Sequence, residues 1–204
     1  GQVHLGLHQT MNTLGASIAI WNGHAHDFCF EACIRSVLPI CEHVVVAYIA
    51  SADGTVETLR DMARAEPKIQ LVEYHKKEIP KADGLWVMDW SNFARERLST
   101  DYNLQMDADE ILHESAHEKI LDRIQGKEVT LRCRRWNFWR DTRHLIPEGV
   151  CLGAEVLRVA PKRHWLPADV PIAQGQDAMN LDTAALDVEI FHYGFLRKPE
   201  AFFK

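Results

Sequence analysis

The sequence has no G-x-x-x-x-G-K-[ST] and no G-x-G-x-x-G after a strand, so neither a phosphate loop nor a dinucleotide-binding turn is encoded. No apolar run approaches the roughly 20 residues of a membrane-spanning helix. Gly1–Leu14 is mixed polar and lacks the apolar segment of a secretory signal. Internal repeats and low-complexity segments are missing as well. No block of one charge stands out: Lys+Arg 23 against Asp+Glu 29 gives a net charge of -6, which argues against non-specific nucleic-acid binding. The five cysteines, Cys29, Cys33, Cys41, Cys133 and Cys151, are an odd and unpatterned set. They read as reduced, mostly buried thiols and imply a cytoplasmic protein.

What is present suits one globular domain over residues 1–204, of which 47% are hydrophobic. Ala16–Ile20 is a compact apolar run, read as a buried strand ending at Trp21-Asn22-Gly23. Asp27 is placed to cap a helix carrying Phe30, Cys33, Ile34, Val37 and Leu38 on one face, and Pro39 stops it. His43–Tyr48 is a strand apolar on both faces, as a central parallel strand should be. A Gly-containing loop then leads to a helix from Thr55, with Val56, Leu59, Met62 and Ala63 inward. Ile69–Val72 is a third strand. Asp89 is placed to cap a helix with Trp90, Phe93, Ala94 and Leu98 on its core side, and a fourth strand follows from Tyr102. The order β-α-β-α-β-α-β implies a parallel sheet wrapped by helices. After residue 126 the pattern changes to strand-like pieces at Glu128–Trp139, Val156–Val159 and Val188–Phe191 among Pro-bearing loops. This predicts a smaller antiparallel extension.

The fourth strand runs into Asp107-Ala108-Asp109-Glu110. In extended chain, residues i and i+2 point the same way, roughly 6.6 Å apart. Asp107 and Asp109 therefore present two carboxylates at a strand end, where open α/β sheets bind ligands. Hard oxygen donors there suit Mg²⁺ or Mn²⁺ carrying a phosphorylated ligand. Taken alone, D-x-D is also what an acidic surface turn looks like.

Three other constellations carry weaker chemistry. His113-Glu114-Ser115-Ala116-His117 matches the H-E-x-x-H of zinc hydrolases, which needs both histidines on one helical face. Ser115-x-x-Glu118 is a capping box that starts a helix at Ser115 and leaves His113 outside it. His24, His26, Cys29 and Cys33 have zinc-like residue types at a spacing that matches no common structural site. Arg132, Arg134, Arg135, Arg140 and Arg143, interleaved with Trp136, Phe138 and Trp139, form either a solvated strand face or a wall for a sugar or phosphorylated acceptor.

Over its first 125 residues or so the sequence resembles the inverting glycosyltransferases of family 2, which have the GT-A fold. Asn22 stands where the first strand ends, and Ile34-Arg35-Ser36-Val37-Leu38 is similar to the family's helix signature. Ser51-Ala52-Asp53-Gly54-Thr55 resembles its S-x-D-G-T loop. Asn92 lies one helix before the D-x-D. The family's acidic residue at the end of the second strand is replaced by Tyr48 and Ile49, and Tyr48 can stack on a base.

The resemblance implies an α/β, GT-A (Rossmann-like), mostly parallel sheet. Residues 14–126 would form the nucleotide-sugar-binding half and residues 127–204 the acceptor-side half. It implies a metal-dependent inverting transferase moving a sugar from a nucleotide-diphosphate donor to a hydroxyl of a saccharide or lipid-linked acceptor. Asn22, Tyr48, Asp53, Asn92, Asp107 and Arg197 are the implied donor contacts. Asp107, Asp109 and His192 are the implied ligands of Mn²⁺ or Mg²⁺, although a histidine ending an apolar strand is also what a satisfied core residue looks like. Asp177 is the expected base, with Asp169, Glu148 and Glu155 as rivals. Two other readings stay open: a nucleotide-sugar-binding protein without catalysis, and a zinc hydrolase through His113 and His117.

Overall fold

In the computed structural model, residues 11–75, 85–147, 155–163 and 182–201 are described. The chain alternates strands and helices over its first half: β1 (Leu14–Ile20), α1 (Phe30–Val37), β2 (His43–Tyr48), α2 (Thr55–Ala65), β3 (Ile69–Glu73), α3 (Leu85–Arg95) and β4 (Tyr102–Asp107). Then come β5 (Glu110–Leu112), α4 (Ala116–Ile124), β6 (Thr130–Trp139), β7 (Asp141–Leu145), β8 (Glu155–Pro161) and β9 (Thr183–His192). The strands make one sheet in the order β3-β2-β1-β4-β8-β6-β9-β5, with β7 paired to β6.

β1, β2, β3 and β4 are mutually parallel, as β-α-β order demands. The second half is mixed rather than antiparallel. β8 runs antiparallel to both β4 and β6, but β6 and β9 pair parallel along most of their length. The hairpin strand β7 has no apolar alternation in its sequence, Asp-Thr-Arg-His-Leu, and only its pairing with β6 makes it a strand.

One face of the parallel strands is an apolar layer. Leu14, Ala16, Ile18 and Ile20 of β1 and Leu104 and Met106 of β4 meet Phe30, Cys33, Ile34 and Val37 of α1 and Ala116, Ile120 and Ile124 of α4. Burying each large side chain stabilises by about 1.5–3 kcal/mol. The opposite face meets α3. Val45 and Ala47 of β2 pack there with Tyr74, Trp90, Ala94 and Leu98.

Two helix starts differ from their sequence signals. α1 begins at Phe30 with Cys29 as its cap residue, and no side chain caps it. Asp27 lies in left-handed backbone (φ 55) and instead accepts the Lys198 N–H at 3.0 Å, so the residue is spent on a tertiary tie. α3 begins at Leu85 and runs through Asp89, whose carboxylate accepts the Tyr74 hydroxyl at 2.5 Å. α4 does start after Ser115, but no side-chain capping bond forms; the Ser115 hydroxyl bonds His113 Nδ1 at 2.8 Å. No helix among the described residues is long and apolar enough to cross a membrane.

Candidate functional site

The strand order dictates where a ligand can sit. From β1 the chain steps outward to β2 and β3, then returns to place β4 on the other side of β1. The C-terminal ends of β1 and β4 therefore form a switch point, where connections diverge and leave a crevice. A cleft of about 340 Å³ occupies it. Its walls are Ala19 and Trp21 at the end of β1, His26 and Phe28 in the following loop, and Val87, Trp90 and Ser91 of α3. Asp107, Ala108 and Asp109 complete it. A larger hollow of about 480 Å³ is lined, among the described residues, by Arg60, Ala63, Arg64 and Leu71, none of them a carboxylate.

The acidic turn is held from beneath. Glu110 is fully buried, and its Oε2 accepts the Asp107 N–H at 3.2 Å across the turn. Its Oε1 receives Arg158 Nη2 at 2.5 Å and Arg135 Nη1 at 3.4 Å. The same Arg158 nitrogen reaches Asp107 Oδ2 at 2.6 Å. Two guanidiniums and two carboxylates thus compensate one another where burial would otherwise make each charge costly. Arg135 belongs to this network and not to the solvated strand face that the sequence suggests. Asp107 keeps 30% of its side chain exposed, while Asp109 keeps 14%.

Asp109 has a different partner. His192, the last residue of β9, places Nε2 3.4 Å from Asp109 Oδ2. Its Nδ1 lies 2.8 Å from Asn137 Oδ1 on β6; an amide oxygen only accepts, so Nδ1 carries a proton. Burial pushes the Asp109 carboxyl up, but the His192 bond and charge, helped by Arg197, outweigh it and hold it below the ordinary carboxylate value. Burial pushes the His192 imidazole down; the Asp109 bond and charge, with Glu110 behind, outweigh that and raise it. Gly194 backs the pair, and a Cβ there would come within 2.6 Å of both Asp109 Oδ2 and His192 Nε2.

The other candidates are distributed around this centre. Asn22 sits in left-handed backbone (φ 49) just after β1, and its carbonyl accepts the His26 N–H at 2.8 Å. Tyr48 ends β2 opposite Ile20, half-buried, with its hydroxyl 3.5 Å from Glu73 Oε2. Asp53 ties two loops: Oδ2 accepts the Ala25 N–H at 2.8 Å, and Oδ1 accepts the Ser51 hydroxyl at 2.9 Å and the Thr55 N–H at 3.1 Å. Partial burial works against the Asp53 charge, but those bonds outweigh it and lower the pKa well below the ordinary value. Asn92 is buried on α3 and accepts Arg95 Nε at 2.8 Å. Asn22, Tyr48, Asp53, Asn92, His192 and Arg197 are not among the described residues of the cleft wall. Arg197 lies with its guanidinium 4.9 Å from the centroid of Phe28, a wall residue, and donates Nε to the Gly194 carbonyl at 2.6 Å. Asp177, Asp169 and Glu148 fall outside the described residues. Glu155 pairs with Arg132 at 2.8 Å on the exposed rim of β6 and β8.

Among the described residues no three His, Cys, Asp or Glu side chains form a metal-binding group. The zinc-type histidines do not converge: His113 bonds Ser115, and His117 Nε2 lies 2.9 Å from the Ser36 carbonyl. Mg²⁺ and Mn²⁺ ask for less than zinc does, since one or two protein ligands plus phosphate oxygens and water complete their shell. Adjacent corners of such an octahedron, with bonds of about 2.1 Å, lie roughly 3 Å apart. The 3.4 Å separation of Asp109 Oδ2 and His192 Nε2 fits that spacing.

Sequence reasoning missed Arg158, Asn137 and Gly194, and placed Arg135 on a strand face instead of in the buried network. Arg158 did leave a trace. It is a single charge inside Val156-Leu157-Arg158-Val159-Ala160, and a strand so apolar can bury an arginine only beside a carboxylate.

No family model matches the sequence, and no curated protein matches it significantly. Solved structures do match it in shape. Residues 1–349 of S. aureus TarS in complex with UDP superpose with TM-score 0.60 at 11% identity, covering 88% of this chain and 60% of that one. GalNAc-T7 with UDP, GalNAc and Mn²⁺ superposes with TM-score 0.63 at 9% identity, covering 90% and 44%. This chain has a GT-A-like fold. It spans about three-fifths of the TarS structure and under half of the GalNAc-T7 structure.

Proposed function

We propose that the chain is a metal-dependent, inverting glycosyltransferase, akin to family 2, that moves a sugar from a nucleotide-diphosphate donor to a hydroxyl. One observation carries the reading: Asp107 and Asp109 both line the cleft at the switch point of the sheet. The fold adds support, because the similar TarS and GalNAc-T7 structures are complexes with UDP, the second also with Mn²⁺.

In this reading Asp109 and His192 hold Mn²⁺ or Mg²⁺, with Asp107 beside them. The ion, once bound, stabilises charge developing on the departing diphosphate more than it stabilises the bound donor. The chain's own residues do the rest. Trp21 and Trp90 offer aromatic surface in the cleft, and the Ser91 side of α3 offers a polar edge. Arg197, whose guanidinium lies 4.9 Å from the centroid of the wall residue Phe28, is proposed to meet a phosphate. Asn22, Tyr48, Asp53 and Asn92 are proposed to serve the donor, Asp53 by keeping the loops after β1 and β2 joined. Asp177 is the proposed base.

Residues 14–126 are proposed as the donor half and 127–204 as the acceptor half. An aromatic path supports the second assignment. Phe195 packs edge-on against His192 with centroids 5.3 Å apart, and the half-exposed Trp139 lies 6.1 Å from Phe195. A saccharide ring resting on Trp139 would lie two ring contacts from the Asp109 centre.

Calorimetry with UDP and GDP, with and without Mn²⁺, tests the proposal. Metal-dependent nucleotide binding is expected, together with slow hydrolysis of a matching sugar donor that Asp109→Ala lowers by about 10²–10³. Nucleotide binding without hydrolysis of any donor would favour a pure binding protein. Absence of metal-dependent binding would overturn both.

A further inference from the structure

Arg158 belongs to none of the implied donor, metal or base positions, yet it is among the largest fully buried side chains of the molecule. A buried arginine in an apolar strand costs stability unless its charge is matched, so its partners tell what it is for. One nitrogen, Nη2, joins two carboxylates with opposite surroundings: Glu110, fully buried, at 2.5 Å, and Asp107, open to the cleft, at 2.6 Å. Glu110 in turn grips the backbone of Asp107 through its N–H at 3.2 Å and is steadied by Arg135 at 3.4 Å. The chain of contacts runs from a fully buried carboxylate, through a guanidinium, to a carboxylate in the cleft wall.

We propose that Arg158 is a positioning residue for the cleft, fixing the rotamer of Asp107 by tying it to buried Glu110. Three carboxylates, Asp107, Asp109 and Glu110, sit within four residues, and their mutual repulsion would otherwise swing Asp107 outward. Arg158 cancels that repulsion and commits one Asp107 oxygen to itself. Asp107 then meets a ligand with a preset orientation, which removes an ordering cost from binding. Lysine, a point charge on a different stem, reproduces the charge without the planar geometry.

The inference rests on the glycosyltransferase reading for its ligand but not for its geometry, and the test separates the two. Arg158→Met alone unbalances the buried charge at Glu110 and can fail to fold, so Arg158→Met/Glu110→Gln, which removes one buried cation and one buried anion together and leaves Arg135 in place, is made beside it, with Arg158→Lys. Titration with UDP plus Mn²⁺ is expected to show affinity falling 10–100-fold in the double variant, the range seen when partners that orient ligands are removed. Arg158→Lys should recover part of it. In an Asp107→Ala background the same changes should have no further effect, because Arg158 acts through Asp107. Crystal structures of the folded variants should show Asp107 in a new rotamer. Affinity within twofold of wild type, an undiminished effect without Asp107, or an unmoved Asp107 would each overturn the proposal. A wild type that ignores UDP and Mn²⁺ would instead overturn the glycosyltransferase reading, and the Asp107 rotamer alone would then decide the role of Arg158.

Discussion

The two faces of the central strands β1 and β4 are built from different chemistry. Under α1 and α4 the sheet presents Leu14, Ala16, Ile18, Ile20, Leu104 and Met106, an unbroken apolar layer. Under α3 the alternate residues of the same strands are Ser17, Asn103 and Gln105, all buried, leading to Asp107 at the strand end. The side-chain polar atoms of Ser17, Asn103 and Gln105 find no hydrogen-bond partner among the described residues. Ser91, Asn92 and Arg95 of α3 and Thr100 are buried polar groups as well. A face that leaves amides unsatisfied gives up stability, about 1–3 kcal/mol for each group. The apolar face supplies stability, while the polar face borders the cleft and carries its chemistry.

The largest expected effect tests the apolar face. Phe30→Ala removes a fully buried ring and should cost about 3–5 kcal/mol, lowering Tm by roughly 10 °C, with nucleotide affinity unchanged while the protein stays folded. A large loss of affinity in the folded variant would break the division between the faces. Asp109→Ala tests the other side. Donor hydrolysis should fall by about 10²–10³, while Tm moves little, because one partly buried ion pair with a histidine is lost. Gly194→Ala presses a methyl against that pair without touching its charges. It should lower metal-dependent affinity by about tenfold, and isothermal titration reads it directly.

Smaller effects sharpen the comparison. Asp53→Asn weakens the tie between the loops after β1 and β2 and should cost about 1 kcal/mol at neutral pH. The Asp53 pKa is lowered in the fold, so its contribution is complete above the unfolded value near 3.9 and fades as pH falls below it. The Tm gap between wild type and Asp53→Asn should therefore be full at pH 7 and shrink below about pH 4. Gln105→Met replaces a buried amide with no partner among the described residues by an apolar chain of similar size and should be neutral or stabilising by up to about 1 kcal/mol. A clear loss of stability there would show that the polar face is satisfied by bound water and forms part of the core.

The parallel half of the fold is legible from residues 14 to 107 because each element has its own periodicity. Ala16–Ile20 and His43–Tyr48 are continuous apolar runs, and Phe30, Cys33, Ile34 and Val37 share one helical stripe. The helix caps misled, since Asp27 and Asp89 satisfy distant partners, Lys198 and Tyr74, that no local pattern announces. β7 was illegible for a related reason: its residues carry no strand signal, and hydrogen bonds to β6 make it one.

Within the site, the sequence by itself determined that a parallel strand ends at Asp107, because apolar alternation is a property of the chain alone; Asp109 lies in the turn that follows, where the extended spacing no longer holds. Only the tertiary structure decided what each aspartate faces. Arg158 reaches Asp107 from 51 residues away, and His192 arrives at Asp109 on β9. Partners for a buried charge are chosen by the packing of strands that are distant in sequence, so no local pattern specifies them.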